Sequence, residues 1–314
     1  MNTEIKRFGL IGVAGFIAPR HLKAIKETGN IVVAALDPFD SVGLMDSFFP
    51  DCDFFVEFER FDRHVDKLRR NGTALDYVSI CSPNYLHDSH IRFALRQGAA
   101  AICEKPLVLN PWNVDALVDL QKEYNQRIYT VLQLRLHPTI IALKEQFEKE
   151  PNKIYDIDLT YITSRGRWYD YSWKGDIAKS GGVATNIGVH FFDMLTWIFG
   201  SVQKSDVFLR ETNKASGFLQ LKNANVRWYL SIDYNDLPAE VIKKGQRTYR
   251  SINVLGEEVE FSDGFTDLHT QTYQNILDGH GFGPEESKAS IEIVHNIRNQ
   301  QLSTVGEIHP FVKR

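Results

Sequence analysis

Five short apolar runs, each separated from the next by a helical stretch or a glycine, constrain this chain most. They are Phe8-Gly9-Leu10-Ile11-Gly12, Ile31 to Leu36, Leu75 to Cys81, Ala99 to Cys103 and Arg127 to Leu132. Mostly apolar runs of this length suit strands buried on both faces, as in parallel sheets covered by helices. Helical patterns lie between them at Arg20 to Thr28, at Ile91 to Gln97 before the helix-stopping Gly98, and at Asn113 to Tyr124. This βαβα order predicts an α/β Rossmann-type domain, a doubly wound parallel sheet, over residues 1–135.

After His137 the texture changes. A helix from Thr139 to Lys149 leads into Tyr155 to Thr163, where Ile157, Leu159 and Tyr161 alternate with other residues as in a half-buried strand. Similar runs follow at Val202–Glu211, Ala215–Leu221, Val226–Tyr234, Thr248–Leu255 and Glu257–Phe261. They predict a second, α+β domain over residues 136–314, with an open-faced, mostly antiparallel sheet. Asp236 to Gly245 reads as a surface loop. The 314 residues suffice for two domains, and 43% hydrophobic residues suffice for real cores.

A net charge of −4 gives no electrostatic case for nucleic acid or anionic membrane. The polar start Met1 to Arg7 leads into an apolar run too short for a secretory core or a membrane span, so a soluble cytoplasmic protein is expected. Three cysteines, Cys52, Cys81 and Cys103, without CxxC spacing argue against a disulfide framework or zinc site. His87 and His90 share a helix face, but no further ligand pattern accompanies them, and no metal is expected.

The first strand runs into Gly12-Val13-Ala14-Gly15-Phe16-Ile17-Ala18 and then a helix. A glycine turn here lets main-chain N–H groups approach a pyrophosphate, and the helix N-terminus adds partial positive charge. The spacing is GxxGxxA, so a plain tight turn fits the same residues. Asp37 stands 22 residues after Gly15, at the end of strand two. A carboxylate there accepts hydrogen bonds from ribose hydroxyls and repels a 2′-phosphate, favouring NAD over NADP; a loop aspartate capping a turn with Pro38 is the other reading.

The Ala99 run ends abruptly in Glu104-Lys105-Pro106. The carboxyl ends of parallel strands are where such sheets bind ligands. A lysine there is either a candidate acid/base or a solvated strand end. In the second half, Asn186, His190 and Asp193 fall at i, i+4 and i+7 of a glycine-led helix, as a core network or a site. Arg165, Arg167, Trp168 and Tyr169, followed by Trp173 and Lys174, suit an anionic, ring-containing ligand; they would equally suit a subunit contact.

These pieces in this order resemble the glucose-fructose/inositol/rhizopine-type (Gfo/Idh/MocA) oxidoreductases. The matching motifs are the glycine turn, Ser82-Pro83-Asn84 with His87, Glu104-Lys105-Pro106, Arg135-Leu136-His137-Pro138 and the helix of His190 and Asp193. Within the family, Gly12 to His21, Leu159 to Gly166, Ser172 to Asp176 and Ala184 to His190 are most similar to the WbpB/WlbA-type 3-dehydrogenases of UDP-N-acetylglucosaminuronic acid (UDP-GlcNAcA). The resemblance implies NAD-dependent oxidation of the sugar C3 hydroxyl in lipopolysaccharide O-antigen synthesis, an active site at the domain junction, and a homodimer or homotetramer. In similar enzymes 2-oxoglutarate regenerates the cofactor.

The implied catalytic residues are Lys105 and His190. The implied cofactor contacts are Gly12, Gly15, Phe16, Ile17, Asp37, Ser82, Asn84, His87, Glu104, Lys105 and Gln133. The implied substrate contacts are Lys105, Arg165, Trp173, Lys174, Asn186, His190, Asp193, His269 and Tyr273; core packing is the competing reading for the last two. Asn186 stands where many members carry aspartate, and an amide cannot relay a proton as a carboxylate does. The glycine turn is one residue longer than in most relatives. A dehydrogenase of a free sugar or cyclitol, or a non-catalytic NAD-bound sugar-nucleotide sensor, are the alternative readings.

Overall fold

The computed structural model describes residues 4–40, 42–254, 256–259 and 267–312. The chain forms two compact units. Unit 1 takes the described residues of Met1–Val108, Trp112–Gln133 and Thr266–Ser287; unit 2 takes those of Leu109–Pro111, Leu134–Phe265 and Lys288–Arg314.

Unit 1 runs β1 (Arg7–Ile11), α1 (Ala18–Glu27), β2 (Ile31–Leu36), α2 (Val42–Phe48), β3 (Asp53–Phe55), α3 (Phe58–Arg70), β4 (Tyr77–Ile80), α4 (His87–Arg96), β5 (Ala100–Cys103), α5 (Pro111–Glu123) and β6 (Ile128–Thr130). The six strands lie in the order β3-β2-β1-β4-β5-β6, all parallel. The order reverses between β1 and β4, which makes their carboxyl ends the topological switch point where such sheets take ligands. All four residues of β5 are buried, as its unbroken apolar run requires. Gly98, at φ +78°, takes the left-handed position after α4.

The sequence reading passed over α2, β3 and α3. Helix α3 buries only Phe61 and Val65, and its other face is densely charged, so its period is carried by few residues. Unit 1 also reclaims chain from beyond residue 136. Helix α11 (Leu268–Leu277) packs on α1, and its Tyr273 and Ile276 join the core of Phe8, Leu10, Leu22 and Ile25. Burial of that apolar face assigns α11 to unit 1, so the division at 135/136 is corrected to a discontinuous one.

In unit 2, α6 (Pro138–Glu148) precedes β7 (Tyr155–Thr163), α7 (Trp168–Tyr171), α8 (Ile177–Ser180), a π-helical turn (Ala184–Gly188) and α9 (Val189–Phe199). Strands β8 (Val202–Arg210), β9 (Lys214–Leu221) and β10 (Ala224–Ser231) follow, then α10 (Ala239–Lys243), β11 (Thr248–Val254) and β12 (Glu257–Val259). The sheet order is β12-β11-β7-β10-β9-β8, with β7 and β10 parallel and the other pairs antiparallel. One face buries Ile157, Leu159, Val226 and Trp228 against α6, α9 and α12 (Pro284–Asn299). The opposite face carries a smaller cluster of Ile162, Tyr229, Leu237 and Val241, with Tyr249 and Phe311 packed on it.

That second cluster corrects the loop expected at Asp236–Gly245. Helix α10 forms there because Val241 has an apolar surface to cover. The end of the strand expected over Glu257–Phe261 lies outside the described residues.

Candidate functional site

The turn after β1 is shaped by Gly12. It sits at φ +94°, and a Cβ there would lie 2.6 Å from the Cys81 carbonyl carbon and the Ser82 nitrogen. Only glycine lets the β1 and β4 ends approach this closely. Gly12 N–H donates to Leu36 O at 2.8 Å, and Gly15 N–H to Gly12 O at 3.1 Å, which turns the chain into α1. Phe16 stands 83% exposed on this turn. Asp37 is buried at the tip of β2; Oδ2 accepts the Ala14 N–H at 2.8 Å and Oδ1 the Phe39 N–H at 2.9 Å. Each oxygen keeps a second lone pair. A glycine turn, a helix N-terminus and a carboxylate at the next strand tip thus share one edge of the sheet and fit a dinucleotide.

Lys105 follows β5 and is half-buried. The ladder continues past the strand, with Glu104 N–H donating to Ile80 O at 3.0 Å, and the Lys105–Pro106 peptide is cis. Glu104 itself is buried. Its Oε1 accepts from His21 Nε2 at 2.9 Å and His269 Nε2 at 3.1 Å, and its Oε2 from the Lys105 main-chain N–H at 3.2 Å. Burial alone would raise this carboxyl; the hydrogen bonds from His21 and His269 outweigh it and hold Glu104 well below the usual carboxylate range.

Several of the expected contacts are buried and hydrogen-bonded to neighbours in this geometry. Glu104 Oε1 is taken by the two histidines, and Oε2 accepts one bond, from the Lys105 main chain. His87 is buried, with Nδ1 2.7 Å from Pro106 O and Nε2 2.9 Å from Ser82 O; a neutral ring donates to only one of these carbonyls. Burial lowers its pKa, against the pull of the two carbonyls. Tyr273 is fully buried, its hydroxyl 2.7 Å from His21 Nδ1 and 2.6 Å from Ser79 Oγ. With His269 on Glu104, the core-packing reading of both residues is the one the structure gives. Asp193 is buried and pairs with Arg135 through two bonds, at 2.7 and 3.0 Å, which ties it into unit 2.

Ser82 and Asn84 lie on the turn after β4. Ser82 Oγ is 2.8 Å from His90 Nδ1, and Asn84 is buried in a 3₁₀ turn. Gln133 Oε1 is buried without a hydrogen-bond partner among the described residues. Burial pushes His90 down to about 4. A histidine with a depressed folded pKa contributes stability that is complete above its unfolded value near 6.5 and is lost as pH falls toward 4. The expected loss from His90 across that window is about 3 kcal/mol. Thermal unfolding at pH 7 and pH 4.5 checks it, and the drop should shrink in His90→Gln.

In unit 2, Gly181 and Gly182 at φ +82° and +79° lead into the π turn. Asn186 sits in that turn, while His190 and Asp193 lie on α9, which follows it directly. Asn186 Nδ2 donates to the Tyr169 hydroxyl at 2.7 Å. Burial raises Tyr169. His190 is half-buried and meets the Tyr161 ring edge-on at 6.0 Å. Arg165 is exposed, and Lys174 lies over the Trp173 ring at 5.7 Å. Sequence reasoning missed the Tyr169 hydroxyl as partner of Asn186, and missed His21. A histidine among the apolar residues of α1 was the available signal for the latter.

Comparison with known proteins adds independent evidence. Residues 6–132 match the family model described as oxidoreductase family, NAD-binding Rossmann fold (GFO_IDH_MocA), and residues 152–301 match its C-terminal alpha/beta domain. The WlbA (WbpB) dehydrogenase from Thermus thermophilus, solved in complex with NAD and alpha-ketoglutarate, is 52% identical, with a TM-score of 0.95 over 98% of this chain and 100% of that one. A second structure of it, with NAD and UDP-GlcNAcA, is 51% identical over the same shares, also with a TM-score of 0.95. Inositol 2-dehydrogenase from Rhizobium meliloti (strain 1021) is 27% identical over 198 residues, which are 62% of this chain and 55% of that protein. The chain spans less than two thirds of the length of the curated relatives it matches first (55%, 65% and 16%).

Proposed function

The chain belongs to the GFO_IDH_MocA oxidoreductase family, and on that basis we propose that it oxidises the C3 hydroxyl of UDP-GlcNAcA to the 3-keto sugar with NAD as cofactor. The observation that carries this reading is the 52% identity, across almost the whole chain, to a dehydrogenase solved with NAD and, separately, with UDP-GlcNAcA and with alpha-ketoglutarate.

When bound, NAD accepts the hydride that leaves C3. The Gly12–Ile17 turn and the α1 N-terminus hold its pyrophosphate, Asp37 takes the adenosine ribose, and Asn84 and Gln133 line the nicotinamide end. The C3 hydroxyl must lose its proton as the hydride departs. Lys105 takes that proton, and His190 hydrogen-bonds the same oxygen. Asn186 orients the sugar, while Arg165, Trp173 and Lys174 bind the carboxylate and diphosphate. With 2-oxoglutarate in the sugar's place, the cofactor would supply a hydride to the C2 carbonyl carbon and Lys105 would return its proton to the C2 oxygen, giving 2-hydroxyglutarate.

In the same reading the protein works in the cytoplasm as a homodimer or homotetramer and serves lipopolysaccharide O-antigen synthesis. Among the described residues no helix is long and apolar enough to cross a membrane.

The test is a substrate panel with purified protein, NAD and 2-oxoglutarate. UDP-GlcNAcA should lose two mass units while 2-hydroxyglutarate accumulates. Turnover of free sugars or myo-inositol with none of UDP-GlcNAcA would favour the free-sugar dehydrogenase instead. Asp37→Ala should lower the NAD-over-NADP preference in kcat/KM by at least about tenfold, because the repulsion of the 2′-phosphate is gone. An unchanged preference would place the selectivity elsewhere.

A further inference from the structure

A chain of buried side chains in unit 1 converges on Glu104, and the chemistry proposed above uses none of them. Ser79, His21 and Tyr273 are fully buried, and His269 and Glu104 are 3% and 6% exposed. An ionised carboxylate has only acceptors, so the Nε2 atoms of both His21 and His269 carry hydrogen. His21, kept neutral by burial, then accepts at Nδ1 from the Tyr273 hydroxyl, and Tyr273 accepts from Ser79. Every hydrogen in this chain has one direction. Glu104 therefore cannot rotate without leaving a buried donor unmet, at a cost of about 1–3 kcal/mol for each.

Its remaining contact is the Lys105 main-chain N–H. On the other side of the triplet, His87 holds the Pro106 carbonyl. The lysine is thus flanked by two main-chain anchors, each fixed by histidine. The three ligand-type atoms of His21, Glu104 and His269 lie within 4.8 Å of one another. Contacts of 2.9 and 3.1 Å from N–H donors already satisfy the carboxylate, as a hydrogen-bonded clamp.

We propose that Glu104, clamped by His21 and His269, is a positioning residue for Lys105: it fixes the lysine's main chain. This rests on the reading of Lys105 as the proton acceptor. The groups facing Glu104 are His21 from α1, with Arg20 acting on His21; His269 and Tyr273 from α11; Cys81 and Cys103 at the strand ends; and His87 from α4.

The experiment measures kcat and KM for UDP-GlcNAcA from pH 6 to 10 on the full chain, with NAD affinity followed separately. In Glu104→Gln the plateau kcat should fall about 10–100-fold, with the sugar KM within threefold. His269→Leu should lose about tenfold in kcat, and His269→Gln, which still offers an N–H to Glu104, should restore most of it. This pair decides the matter if Glu104→Gln does not fold.

A wild-type kcat in Glu104→Gln, or equal activities in the two His269 variants, would overturn the inference alone. A fall in NAD affinity that accounts for the lost activity would make Glu104 a cofactor contact and overturn it as well. Activity lost to a chelator and restored by a divalent cation would replace the clamp with a metal site. A wild-type protein that leaves UDP-GlcNAcA untouched rejects the functional reading and this inference with it.

Discussion

Lys105→Ala should lower kcat by at least about 10²-fold while leaving NAD binding intact. The residue follows a strand whose four positions are all buried, and its main-chain N–H is anchored on the Glu104 carboxylate. The side chain is removed, but the strand, the Glu104 clamp and the glycine turn after β1 stay. NAD affinity by fluorescence titration should therefore move little, whereas turnover, which needs a proton acceptor at the departing hydroxyl, should collapse. Lys105→Met, which keeps the aliphatic length, should behave in the same way. Near-wild-type turnover in either variant would remove Lys105 from the role and leave His190 as the acceptor.

Asp193→Ala should destabilise the protein by about 3–5 kcal/mol, because it leaves the Arg135 guanidinium buried without its carboxylate. Arg135 is 8% exposed and Asp193 2%, so water cannot replace the lost partner. The Trp197 ring near Arg135, 5.8 Å from the guanidinium carbon, is a poor substitute. At roughly 2–4 °C per kcal/mol for a unit of this size, the transition should fall by about 10 °C. Arg135→Met combined with Asp193→Leu should recover much of the loss, since replacing both charges leaves no orphan. A single variant melting within 1 °C of wild type would contradict the structural role given to Asp193.

The parallel half was legible because strands buried on both faces need continuous apolar runs: Ile31–Leu36 and the Ala99 run could hardly be anything else. Helix α3 was lost because Phe61 and Val65 are all that it buries. Helix α11 was assigned to the wrong half because a sequence carries its apolar face but not the identity of the surface that covers it. The candidate site was legible as residue types at strand ends, as with Gly12, Asp37 and Lys105. It was illegible where function and packing use the same chemistry. Glu104, His87, Asp193, His269 and Tyr273 look like ligand contacts in a linear motif. Once folded, each is buried and within hydrogen-bond distance of neighbours, and those partners appear only in three dimensions.

The most direct test of the central claim follows the hydrogen itself. UDP-GlcNAcA carrying deuterium at C3 is incubated with the protein, NAD and 2-oxoglutarate, and the mass of the 2-hydroxyglutarate is read. Transfer from C3 predicts 2-hydroxyglutarate heavier by one mass unit and a sugar product that has lost the label. Deuterium retained on the sugar, with unlabelled 2-hydroxyglutarate or none, would contradict the account.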